Sequence, residues 1–71
     1  MKMPLTMAVL GEMNSIKRIG GKEETRRFLE TLGFVVGSEV MLIAKNNGNV
    51  IVNIKDSRVA ISQEMASKIM I

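Results

Sequence analysis

The clearest pattern in the chain is an apolar–polar alternation running from Val40 to Ser62, "VMLIAKNNGNVIVNIKDSRVAIS", interrupted twice by turn-forming residues. A period of two over such lengths is the mark of strands with one face turned to a core. It predicts three strands, Val40 to Lys45, Asn49 to Lys55 and Arg58 to Ser62, joined as two tight hairpins. A three-residue loop, Asn46-Asn47-Gly48 with Gly48 left-handed, pairs Val40, Leu42 and Ala44 with Ile54, Val52 and Val50. A two-residue loop at Asn47-Gly48 would instead carry Lys45 onto the apolar row, so the longer loop is preferred. A second turn at Asp56-Ser57 sets Ile54 opposite Val59 and Val52 opposite Ile61, extending the same apolar face.

Upstream, "MNSIKRI" (Met13 to Ile19) alternates less regularly and reads as one strand stopped by Gly20-Gly21. The period then changes. Between Lys22 and Leu32, the residues Thr25, Phe28, Leu29 and Leu32 share one helical face, with Arg26, Arg27, Glu30 and Thr31 elsewhere. Glu23 and Glu24 occupy the first turn, where the helix dipole favours negative charge. Gly33 suits the left-handed position past the helix, with Phe34 folding back on Leu29, and Val36-Gly37-Ser38 redirects the chain into the next strand. After the hairpins, Ser62 caps a short helix from Gln63 to Lys68, with Glu64 in its first turn and Met65, Ala66 and Ile69 turned inward. The closing Ile69-Met70-Ile71 is predicted to pair as a strand with a sheet edge. The fold expected is mainly β with short helices: a small five-stranded, partly open SH3-like barrel with one helix inserted after the first strand. A ferredoxin-like sandwich needs a second full crossover helix, and the last helix is too short for one.

Composition narrows the chemistry. The 71 residues, 46% apolar and 24% charged, fit one domain spanning 1–71 with a small core. With neither cysteine nor histidine, disulfides, thiolate sites, Ser-His-Asp and Cys-His nucleophiles and ordinary zinc or iron ligation are all excluded. No enzyme activity and no cofactor are expected. The apolar stretch Leu5 to Leu10 behind Lys2 is too short and lacks the small-residue site of a secretory signal, and no run is long enough for a membrane span. A cytoplasmic protein is the expectation.

The net charge of +3 fits either a solubility charge or an anionic partner. Lys17, Arg18, Lys22, Arg26 and Arg27 fall close together but are diluted by Glu23 and Glu24, a mixed face rather than a basic arm. Lys17, Arg18, Arg26, Arg27 and Glu30 form the largest charged face and are the candidate partner-docking residues. Several sharper readings lose to plainer ones. Seven methionines, with Met1, Met3 and Met7 clustered, are better explained as core fillers than as a copper(I) site. The carboxylates are scattered, and adjacent Glu23 and Glu24 do not face each other, so no metal site is assigned. "IGGKEET" lacks the full phosphate-loop pattern, and its glutamates repel phosphate. A nucleic-acid-binding barrel is the main rival, but two phenylalanines assigned to the core leave bases no stacking platform.

The ordered set "RRFLETLG", Gly37-x-x-Val40-x-Leu42, Val50-x-Val52-x-Ile54 and Ala66-x-x-Ile69-x-Ile71 resembles the FeoA family, the small ferrous iron transport protein A, from about Leu5 to Ile71. The same module closes metal-dependent repressors, so a repressor-type interaction domain is a further alternative. Two departures stand out: Val36 replaces the family's usual proline before the second glycine, and Asp56-Ser57 replaces a glycine-containing turn. What the resemblance implies is a small accessory of bacterial ferrous iron uptake. It would dock onto the ferrous iron permease (FeoB-type), a membrane protein with a cytoplasmic GTPase domain, reaching the membrane only through that partner.

Overall fold

The computed structural model describes residues 2–71. After a 3₁₀ turn at Leu5–Met7 come β1 (Met13–Ser15), β2 (Arg18–Ile19), α1 (Glu23–Thr31), β3 (Glu39–Asn46), β4 (Asn49–Ile54), β5 (Ser57–Ser62), α2 (Gln63–Ala66) and β6 (Ile69–Met70). The strands form two antiparallel sheets, a four-stranded β1-β3-β4-β5 and a two-stranded β2-β6. This is the expected mainly-β, SH3-like barrel with short helices, but with six strands among the described residues rather than five.

The extra strand comes from the split of Met13 to Ile19, which the sequence reads as one element. Ile16 is turned into the core at 1% exposure. Its N–H donates to Ser38 O at 2.9 Å and its carbonyl accepts from Gly37 N at 2.8 Å, so it still belongs to the ladder with β3. One residue later Lys17 N donates to Met70 O at 2.8 Å. The chain therefore changes sheets between Ile16 and Lys17, which is how a short sequence closes a barrel without a long connection. The closing strand pairs as expected. β6 lies between β2 and the N-terminal segment, where Met3 and Ile71 exchange backbone hydrogen bonds of 3.0 and 2.8 Å. Leu5, in the stretch weighed as a signal segment, is fully buried.

The first hairpin combines both registers considered. Val40↔Ile54 and Leu42↔Val52 match the three-residue loop, but a bulge between Leu42 and Ala44 shifts the rest to Ala44↔Ile51 and Lys45↔Val50. The turn is then Asn47-Gly48, with φ of 44° and 85°, the left-handed pair that matches strand twist. The bulge absorbs one residue in the middle of β3, leaving Lys45 exposed while Val50 stays buried. The second turn is Lys55-Asp56 rather than Asp56-Ser57, which sets Val52 opposite Val59 and Val50 opposite Ile61. Pairing slides by two residues, so side-chain parity is kept. Ile61 remains buried and Val59 half-buried.

α1 ends in a complete Schellman stop: Phe34 N donates to Leu29 O at 3.0 Å, and Gly33 N to Glu30 O at 2.9 Å, with Gly33 at φ 103°. Leu29 and Phe34 are both fully buried. Phe28, expected in the core, is 47% exposed. The helix is only nine residues long and presses down along Leu29, flanked by half-buried Thr25 and Leu32, which leaves Phe28 at the rim of that stripe. α2 is capped as predicted, Ser62 Oγ accepting from Met65 N at 3.0 Å, but stops at Ala66. One cluster holds the buried side chains of both sheets, α1, α2 and the N-terminal turn.

Candidate functional site

The split of the first strand also creates the site. Pairing with the β3 side ends at Ile16, and the turn Val35–Ser38, closed by Ser38 N to Val35 O at 3.0 Å, carries the chain away from β2. Among the described residues β2 has β6 as its one strand neighbour. Between β2, the outer face of α1 and the segment Phe34–Val36 lies an open groove of about 590 Å³. Arg26, Arg27 and Glu30 reach it because they share one helical face with Glu23, opposite the side of Phe28.

All five residues singled out from the sequence, Lys17, Arg18, Arg26, Arg27 and Glu30, line this groove. Sequence reasoning missed five others: Ile19, Phe34, Val35 and Val36, which add an apolar strip, and Glu23. Glu23 was read only as a helix-start acid, yet its carboxylate lies 3.5 Å from Arg27 across one turn. The Glu-to-Arg spacing of four was the available signal. Both partners are well exposed, so the pair contributes at most about 0.5 kcal/mol and mainly orients Arg27. Lys17, Arg18 and Arg26 make no ion pair among the described residues. Four cations thus face two carboxylates, one of them already engaged.

Elsewhere the surface is less organised. A hollow beside the second hairpin turn carries Glu39, Asp56 and Lys55, and another below α2 carries Lys22, Glu64 and Lys68. Among the described residues no three acidic side chains converge as metal ligands would. Met3 packs against the core while Met7 is 66% exposed; Met1 lies outside the described residues. Phe28 does not line the cationic groove, so its exposure does not combine stacking with phosphate contacts. No helix among the described residues is long and apolar enough to cross a membrane.

Comparison with known proteins identifies the family and the fold. Residues 3–71 match the family model described as the FeoA domain. The chain is 35% identical over 68 residues to a protein of Methanocaldococcus jannaschii described as a Fe(2+) transport protein A, covering 96% of this chain and 83% of the other. The zinc-complexed FeoA of Stenotrophomonas maltophilia, described as a prokaryotic SH3 domain protein, superposes with a TM-score of 0.81 at 25% identity over 94% of this chain and 86% of that one. A manganese-dependent transcriptional repressor superposes with a TM-score of 0.89 at 19% identity, over 99% of this chain but 40% of the repressor. That last likeness shows the shared fold alone.

Proposed function

This chain belongs to the FeoA domain family, and from that premise we propose that it serves ferrous iron transport as a non-catalytic accessory. Residues 1–71 act as one domain in the cytoplasm, docking onto the GTPase-containing part of a ferrous iron permease. The observation that supports this reading most is the convergence of Lys17, Arg18, Arg26, Arg27 and Glu30 on one groove. Long charged side chains around an apolar strip give a surface that can seat a protein segment, while the chain has no histidine or cysteine with which to run acid–base or nucleophilic turnover.

Charge reversal tests it. Lys17→Glu combined with Arg26→Glu is expected to weaken capture of the permease's cytoplasmic domain by about tenfold or more. Its melting temperature should stay near that of the parent, because both side chains are exposed. Undiminished capture by the folded double variant removes the groove from the interface.

A further inference from the structure

The cationic groove also carries information about what fills it. The chain's net charge is +3, and most of that excess is concentrated here, where Lys17, Arg18, Arg26 and Arg27 meet only Glu23 and Glu30. The hollow at the second hairpin turn has more acid than base. With Arg27 held by Glu23, the unpaired cations are Lys17 and Arg18 on β2 and its flank, and Arg26 across the groove on α1. An occupant bearing carboxylates between these two walls would meet cations on both.

The backbone supplies a second constraint. The ladder joining β1 to β3 stops at Ile16, and β2 beyond it pairs with β6 on one side only. The opening beside β2 is the gap where an adjacent strand would continue, floored by Ile19 and Val35. An exposed strand edge accepts an extended segment through main-chain hydrogen bonds, with alternate side chains directed to opposite sides. We propose that the groove takes an acidic, extended protein segment, added as a strand to the open edge of β2, with apolar side chains on Ile19 and Val35 and carboxylates toward Lys17, Arg18 and Arg26. This deepens the docking reading, on which it rests for the choice of a protein partner. Charge placement and strand edge are independent of that reading.

The test titrates the isotope-labelled full chain with a short synthetic peptide of alternating glutamate and valine, and with glutamine–valine and lysine–valine counterparts, at physiological salt. The expected result is amide shifts at Lys17–Ile19, Arg26–Glu30 and Val35–Val36, with slowed amide exchange in β2. The glutamine peptide should bind about tenfold more weakly, and the Arg26→Glu and Lys17→Glu chains, checked by melting temperature, should lose the response. Equal binding of all three peptides, or shifts outside the groove, overturns the proposal. Phosphatidylglycerol vesicles or single-stranded RNA giving the groove shifts at lower concentration than the acidic peptide also overturns it, in favour of a membrane or nucleic acid. Capture of the permease domain without any groove response to the peptide overturns this inference and leaves docking standing. A groove response without permease capture supports the inference and removes the docking reading.

Discussion

The hairpin side of the molecule and the groove side solve opposite problems with neighbouring stretches of chain. Across β3, β4 and β5 alternate side chains turn inward away from the bulge, Val40, Leu42, Val50 and Val52 being fully buried, and neighbouring strands satisfy each other's backbone. Across the groove, β2 is two residues long, paired on one side, and its charged neighbours face solvent. The first region holds the fold together; the second leaves polar backbone and charge available. Ile16 joins them, anchoring one end of the split strand in the core while Lys17 and Arg18 emerge beside α1.

That division can be broken from the stability side first. Leu42→Ala removes a fully buried side chain from the centre of the sheet and is expected to cost about 2–5 kcal/mol in chemical denaturation. Because the groove has no core of its own, its amide signals should be lost in the same transition. A smaller effect is expected at the junction. Gly33→Ala forces a side chain onto φ 103°. A Cβ there would sit 3.4 Å from Lys55 Cδ and 3.5 Å from Ile54 Cγ1, ordinary contacts, so the cost is backbone strain of about 1–3 kcal/mol. Smaller still, and of opposite sign, Asp56→Gly relieves a left-handed non-glycine in the second turn, φ 64°, a strain of about 1–2 kcal/mol against glycine's entropic cost of about 0.5–1 kcal/mol, for a net stabilisation of about 0.5–1 kcal/mol. Urea midpoints measure all three, and the last should leave the groove signals unmoved.

The hairpin side was the more legible in sequence because burial there imposes a period of two. That parity survived even where the register did not: the second turn falls at Lys55-Asp56, where Lys55 has no preference for the left-handed region it adopts, yet Ile61 still faces inward because the slide was by an even number of residues. The first turn was misread as the three-residue Asn46-Asn47-Gly48, because a bulge next to Ile43 that shortens it to Asn47-Gly48 leaves no compositional trace. The groove was legible only in part. Its charges lie close in sequence, but the change of sheets after Ile16 follows from tertiary pairing with Ser38 and Met70, which no local pattern announces. Phe28 was misread for a related reason: helical spacing defines a face but not how wide a stripe the sheet covers.

The most direct measurement is residue-resolved amide mapping of the labelled chain against the cytoplasmic GTPase domain of a ferrous iron permease, the proposed partner. The account predicts perturbations centred on Lys17–Ile19, on Arg26 to Glu30 and on Val35–Val36, with β4 and β5 unchanged. Perturbations confined to the β5 edge or to the exposed apolar side chains of Met7, Val9 and Leu10, with the groove silent, would contradict it.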